Sequence, residues 1–311
     1  MKHSEKRTYF SNGNLLISGE YFVLTGAKAF AVPLKKGQLM QVEGYENNRN
    51  TIHWEAYEVG KPWFKTDYNG KNLSIINSND IEKATWLQKV LKEILRIKPE
   101  IFKKNKSYHI SCEIQFNTNW GWGSSATLIS NLSTWAGIDP FELNRLVSSG
   151  SGYDIAASGS PSSIFYQVNN NKPEIIPVSF KPEFRNFIHF VYSGKKQNTA
   201  NSIEVNLKSV IKNKNMIPVI SELTEKIAKE ENLDEFMRYI EEHEKIISKT
   251  LKMKTIKERF FNDFEGEIKS LGAWGGDFVM VASHLDEKQV KQYFSDKGLG
   301  TIFRFDEIVK N

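Results

Sequence analysis

The sequence predicts an α+β protein of two domains, and three observations predict it. Strand-like segments dominate roughly the first half, a mostly helical stretch follows from Ser193, and strands return after residue 277. Strands followed by helices followed by strands are not the regular alternation of a doubly wound parallel sheet. Between residues 168 and 186, Asn169-Asn170-Asn171-Lys172-Pro173 and two further prolines interrupt the pattern, which places a boundary there and domains at 1–175 and 176–311. At 311 residues the chain has ample apolar material for a large core.

The elements follow in order. Leu15-Leu16-Ile17 is a short apolar run typical of a buried strand, broken by Ser18-Gly19-Glu20 and followed by Tyr21-Phe22-Val23-Leu24. A turn at Thr25-Gly26-Ala27-Lys28 leads into extended chain at Ala29-Phe30-Ala31-Val32-Pro33. Residues 37–78 read as meandering antiparallel sheet, with a hairpin signal at Tyr68-Asn69-Gly70-Lys71. Asp80 can cap a helix whose apolar face is Leu87, Val90, Leu91, Ile94 and Leu95, closed by Pro99. Tyr108 to Phe116 alternates as a strand. Asp139-Pro140-Phe141-Glu142 has proline and glutamate where a capping box begins a helix. Ile164–Val168 and Phe187–Tyr192 read as strands. Helical faces follow at Ala200, Ile203, Leu207, Val210, Ile211, then at Val219, Ile220, Leu223, Ile227. A third, capped by Asn232, has Leu233, Phe236, Met237, Ile240, Ile247, Leu251. Phe278–Ala282, a charged helix near Asp286–Lys297 and Thr301–Phe305 close the chain.

Composition narrows the function. The formal charge of +5 arises from 42 basic and 37 acidic residues spread over the sequence, so no basic stripe calls for nucleic acid. The charged stretch Met1–Phe10 lacks an apolar signal core, and no run approaches the roughly 20 apolar residues that span a bilayer. With the one cysteine, Cys112, unable to form an internal disulfide, the expectation is a cytoplasmic protein without membrane partners. None of His3, His53, His109, His189, His243 and His284 stands at metal-ligand spacing from another ligand in sequence, which argues against zinc.

The stretch Trp120-Gly121-Trp122-Gly123-Ser124-Ser125-Ala126-Thr127 carries the chemistry. Two glycines permit a tight turn, two hydroxyls follow, and Leu128, Ile129, Leu132, Trp135 and Ala136 recur at helical spacing. Ser124 or Ser125 suits the N-cap. The free N–H groups and positive dipole end of such a helix start attract an anion, phosphate first among them.

Four stretches taken together resemble the GHMP kinase superfamily, which includes galactokinase, homoserine kinase, mevalonate kinase and phosphomevalonate kinase. They are Gly13-Asn14-Leu15-Leu16-Ile17-Ser18-Gly19-Glu20-Tyr21-Phe22-Val23-Leu24, Gly121-Trp122-Gly123-Ser124-Ser125-Ala126, Gly150-Ser151-Gly152-Tyr153-Asp154-Ile155-Ala156-Ala157-Ser158, and Gly272-Ala273-Trp274-Gly275-Gly276-Asp277. The resemblance implies an N-terminal, ATP-binding domain like the second domain of ribosomal protein S5 and a ferredoxin-like C-terminal domain. It implies an ATP- and Mg²⁺-dependent kinase acting on mevalonate or phosphomevalonate. The third stretch, Asp277 and Ser193-Gly194-Lys195-Lys196-Gln197-Asn198-Thr199-Ala200 look more like the phosphomevalonate branch.

By the same resemblance, Gly121, Trp122, Gly123, Ser124, Ser125 and Ala126 hold the ATP phosphates, with Ser125 also a Mg²⁺ ligand. Asp154 and Lys195 are the catalytic candidates. Glu20, Ser151, Gly152, Gly275 and Gly276 are candidates on the acceptor side. Phosphoryl transfer asks mainly for positioning and charge neutralisation. A hydroxyl acceptor gives Asp154 a proton to take; a phosphate acceptor makes it an orienting group and brings Lys195 and Lys196 forward as phosphate binders. A homodimer is allowed for.

Plainer readings stand beside these. Asp154 can cap its own segment, Lys195 and Lys196 can be solvated, Glu20 can be a surface turn residue, and Glu142 is explained by a cap without metal. Asn14 sits where many members carry lysine. Trp122 and Trp274 replace small residues, and can pack on each other or close the nucleotide pocket. These departures motivate the alternative of a non-catalytic relative binding a ligand or partner; mevalonate diphosphate decarboxylase shares the fold but no motif asks for it.

Overall fold

The computed structural model describes residues 5–46, 49–103, 105–194, 199–272, 274 and 277–310, with side chains omitted at 5 and 199–204. The strands are β1 (Glu5–Ser18), β2 (Ala29–Glu46), β3 (Thr51–Glu58), β4 (Lys61–Asn69), β5 (Ile75–Ser78), β6 (Lys106–Ile114), β7 (Ile164–Asn169), β8 (Lys172–Pro177), β9 (Ile188–Tyr192), β10 (Glu267–Ser270), β11 (Phe278–Ala282) and β12 (Ile302–Arg304). The helices are α1 (Ile81–Ile97), α2 (Ser124–Ala136), α3 (Pro140–Val147), α4 (Tyr153–Gly159), α5 (Thr199–Lys212), α6 (Ile217–Lys229), α7 (Leu233–Leu251), α8 (Ile256–Phe260), α9 (Glu287–Asp296) and α10 (Phe305–Ile308).

Contacts divide the chain into two compact units. The first comprises Met1–Gly13, Lys36–Thr118 and Gly123–Gly159; the second comprises Asn14–Lys35, Asn119–Trp122 and Ser160–Asn311. This division differs from the cut expected after residue 175. The β7–β8 hairpin groups with the second unit because β7 pairs with Ala29–Ala31 of β2.

In the first unit the strand order is β5-β4-β3-β6-β2. Residues 37–78 are not a purely antiparallel meander, since β3 pairs in parallel with β6, His53 opposite His109. A parallel pair needs a crossover, and α1 lies in the connection that supplies it. Alternation sends Ile52, Trp54, Ala56, Ile110 and Cys112 into the core with Met40 and Val42. Against them lie Leu87, Val90, Leu91 and Ile94 of α1 and Ile129 and Leu132 of α2. Asp80 caps α1 as expected, accepting from Lys83 N at 3.0 Å. Burial drives the Cys112 thiol far up, leaving it an inert core group. The β3–β4 turn is Val59-Gly60 with φ of 49° and 74°, the left-handed pair that matches hairpin twist. A β-branched residue there gives no turn signal in the sequence.

In the second unit β10-β11-β9-β12 form an antiparallel sheet. With α5–α8 between β9 and β10 and α9 between β11 and β12, this is the βαββαβ order of a ferredoxin-like fold. Buried Ile220, Leu223, Ile227, Phe236, Ile240 and Ile247 confirm the inward faces of α6 and α7. Asn232 caps α7, accepting from Asp234 N and Glu235 N. The turn expected at Thr25–Lys28 begins earlier, as a 3₁₀ turn over Phe22–Thr25. Gly19 at φ 92° and Tyr21 at φ 58° break the strand, and a Cβ on Gly19 would lie 2.7 Å from Ala29 Cα.

Candidate active site

The start of α2 is built differently from the serine cap expected. Gly123 is the N-cap, in left-handed conformation at φ 76°, and as a glycine it supplies no side-chain cap bond to the first turn. Ser124 and Ser125 are therefore the first two helical residues, Ser124 half-buried and Ser125 exposed. A helix start without a side-chain acceptor keeps its donors and dipole for an external anion.

A buried polar network behind this turn was not visible as a motif. Thr127 Oγ1 lies 2.7 Å from Gln38 Oε1 and 2.8 Å from Ser124 O. Asn131 Nδ2 donates to Gln38 O at 2.8 Å, and Asn131 Oδ1 accepts from Ser11 Oγ at 2.9 Å. Serine, threonine and asparagine on the inner face of α2 were the available signal: Thr127, Ser130, Asn131 and Ser133 are all buried. Asn131→Ala leaves Ser11 Oγ and Gln38 O without their partner, at a cost of about 1–3 kcal/mol. Chemical denaturation should show that loss, with a matching fall in nucleotide affinity as the α2 start loosens.

Asp154 stands in the first turn of α4, half-buried, in the same unit as Gly123–Ser125. Loss of hydration raises its pKa, only partly offset by N–H donors including Ile155 N at 3.0 Å. Gly152, at φ 90° and buried, turns the chain into the helix and its carbonyl accepts from Ala156 N. Ser151 Oγ is 3.5 Å from Tyr153 N, a local turn contact. Glu142 stays exposed; the cap of α3 is Asp139, accepting from Phe141 N, so the expected reciprocal box is a single cap bond.

The other candidates lie in the second unit. Trp122 is 1 % exposed and packs with Trp120, Phe278 and Phe303, ring centroids 4.7, 5.4 and 5.6 Å away. Its carbonyl accepts from Asn14 N at 3.1 Å, and Asn14 is buried. Trp274 joins a different cluster with Tyr21, Phe22, Val210 and Ile247, its backbone N–H donating to the Tyr21 hydroxyl at 3.1 Å. The tryptophans thus serve separate cores and do not form the mutual pair considered from sequence. Gly121 is exposed, and a Cβ there would sit 2.8 Å from Asp277 Cγ. Asp277 itself is 6 % exposed at φ 55°, a left-handed conformation uncommon outside glycine. Lys195, Gly275 and Gly276 lie outside the described residues.

Glu20 is not a surface turn residue. It is buried with Lys269, Glu244 and His243, each no more than 3 % exposed. Lys269 Nζ donates to Glu20 Oε1 and, at 3.1 Å, to Glu244 Oε1. Burial pushes Glu244 up to about 7 and raises Glu20, with Lys269 opposing both shifts. Burial alone would lower Lys269, but the two carboxylates outweigh it and hold the ammonium above its ordinary value. His243 is driven well below its usual range by burial and then by Lys269, so it is neutral, and Nε2 accepts from Gly19 N at 3.2 Å. Hydrogen bonds and the two-to-one carboxylate ratio make this a scaffold for the first glycine motif rather than an open anion site.

No protein-family model matches the sequence, and no curated protein matches it. Solved structures do match in shape. The Methanococcus jannaschii mevalonate kinase shares 19 % identity at TM-score 0.68, covering 100 % of this chain and 99 % of that one. The Streptococcus pneumoniae phosphomevalonate kinase, solved with phosphomevalonate and AMPPNP, shares 15 % at 0.69, covering 96 % and 99 %. The Lactococcus lactis galactokinase, solved with galactose, shares 14 % at 0.65, covering 99 % and 95 %. These similarities run over nearly the whole length of each chain, and the chain accordingly has the fold of the GHMP kinases.

Proposed function

We propose that this protein is an ATP- and Mg²⁺-dependent small-molecule kinase whose acceptor is mevalonate or phosphomevalonate. The observation that carries the reading is the start of α2: a left-handed Gly123 cap that offers the first turn no side-chain bond, and an exposed Ser125. That arrangement fits the phosphates of a nucleotide. It also fits a metal taken mainly by phosphate and water, with the Ser125 hydroxyl adding one oxygen; bound Mg²⁺ would neutralise charge on the transferring group. Asp154, with its raised pKa, is the group to accept the proton of a hydroxyl acceptor. Ser151 and Gly152 set the turn that presents it. Lys195, Gly275 and Gly276 are assigned to acceptor and nucleotide by resemblance.

Both tryptophans pack into cores of the second unit, which accounts for two of the departures that motivated a non-catalytic reading and leaves Asn14 and the second metal carboxylate as the others. No helix among the described residues is long and apolar enough to cross a membrane. The test is ATP consumption by the purified protein with Mg²⁺ against mevalonate, phosphomevalonate, diphosphomevalonate, homoserine, galactose and other sugars, with product mass determined. Turnover with mevalonate or phosphomevalonate is the expected result. Silence across the panel, with no nucleotide binding by calorimetry, sinks the proposal.

A further inference from the structure

The outer face of the first unit's sheet gathers ligands that are far apart in sequence. The parallel register of β3 with β6 sets His53 directly opposite His109, their ring centroids 5.2 Å apart. Glu55, two residues along β3 and hence on the same face, has Oε1 3.0 Å from His109 Nε2. His53, Glu55 and His109 each offer one ligand atom, and those atoms all lie within 4.8 Å of one another. All three are half-buried, so they are partly dehydrated yet open to an ion.

A second observation concerns orientation. Asp67, opposite His53 on β4, places Oδ1 2.6 Å from His53 Nδ1. Histidines that bind metal commonly hand their second ring nitrogen to a carboxylate, which fixes the ring and leaves the other nitrogen as ligand. The neighbours have the right sign. Glu43 pairs with His109 in the β2–β6 register and Glu113 with Tyr57 in the β3–β6 register, while Lys65 is the cation opposite Glu55.

We propose that His53, His109 and Glu55 form a binding site for a divalent transition-metal ion of the zinc type, with Asp67 as the positioning carboxylate. Two imidazoles and one carboxylate suit zinc, cobalt or nickel, and disfavour magnesium, which prefers oxygen donors throughout. Metal–ligand bonds of about 2.0–2.2 Å require the three ligand atoms to draw together from their present separations, a side-chain adjustment within one rigid sheet. A metal there joins β3 to β6 across the parallel pair. It is a site apart from the glycine-loop chemistry, since none of its residues belongs to the four motif stretches.

The test is calorimetric titration of the untagged, chelator-treated full-length protein with Zn²⁺ at pH 7.5, in the presence of millimolar Mg²⁺. Expected is one saturable site that Mg²⁺ does not displace. Asp67→Asn should weaken it by about 10–100-fold, the usual effect of removing an orienting carboxylate. The double variant His53→Gln, His109→Gln should abolish it. Because imidazole ligates only when neutral, binding should disappear on acidification to pH 5 while the fold, followed by circular dichroism, persists. Absence of saturable heat in the unsubstituted protein, or equal affinity in the double variant, overturns the proposal. A Co²⁺ absorption spectrum lacking d–d bands also does so.

Discussion

Asp154→Asn is expected to lower kcat by about 10²–10⁴-fold, the contribution typical of a positioned general base, while ATP affinity measured by calorimetry stays within a few-fold of the original. The asymmetry is the point. Asp154 sits on α4, and the donors proposed for the nucleotide sit on the first turn of α2, so removing one negative charge leaves that turn intact. The pH profile provides an independent check. Burial raises the Asp154 pKa, and a base in the proposed role works only when ionised, so kcat should fall as pH drops through a value above the ordinary aspartate range of about 3.9. The residual rate of the variant should lack that acid limb. Unchanged turnover in Asp154→Asn would remove the residue from the mechanism.

The largest effect on stability is expected at Lys269. Lys269→Met leaves Glu20 and Glu244 buried without their shared cation, and breaking a buried pair costs about 3–5 kcal/mol. At roughly 2–4 °C per kcal/mol for large domains, this lowers Tm by on the order of 10 °C. Adding Glu20→Gln and Glu244→Gln to that variant should recover part of the loss, because amides are cheaper to bury than unpaired carboxylates. The pH dependence has a definite sign. The folded pKa of Glu244, about 7, lies above its unfolded value of 4.5. The folded state then binds more protons between those values, so the contribution is complete below 4.5 and fades as pH rises through 7. Relative to the wild type, Glu244→Gln should flatten the decline of Tm between pH 5 and pH 8. A Lys269→Met variant of wild-type Tm at pH 8 would show the ammonium to be dispensable.

What the sequence made legible was whatever depends on local pattern. Periodicity located α1, α6 and α7, the caps Asp80 and Asn232 were read from residue type alone, and β11 was read with its bounds at Phe278–Ala282. The four glycine-bearing stretches pointed to a fold that the shape comparisons bear out. Features set by register or by distant partners were out of reach. That β3 runs parallel to β6 cannot be read from either strand, and with it went the meeting of His53 and His109. Glu20 could be read equally as an acceptor-side group or a surface turn residue because its cation, Lys269, is 249 positions away. Ser124 and Ser125 look like caps by type, but Gly123 in a left-handed conformation takes the position and moves both serines into the helix. Thr127 and Asn131 looked merely polar because their value lies in Gln38 and Ser11 across the fold.

The same separation has a consequence for biogenesis. The second unit takes Asn14–Lys35 from near the chain's beginning and Ser160–Asn311 from its end. Glu20 leaves the ribosome 249 residues ahead of Lys269, an interval of roughly 10–50 s at about 5–20 residues per second. Throughout that interval a carboxylate destined for the interior has no cation, so the Gly19–Tyr21 turn cannot be sealed in place while synthesis continues. The first glycine motif is therefore made well before it can be completed, and Lys269 serves as the late-arriving latch that closes it.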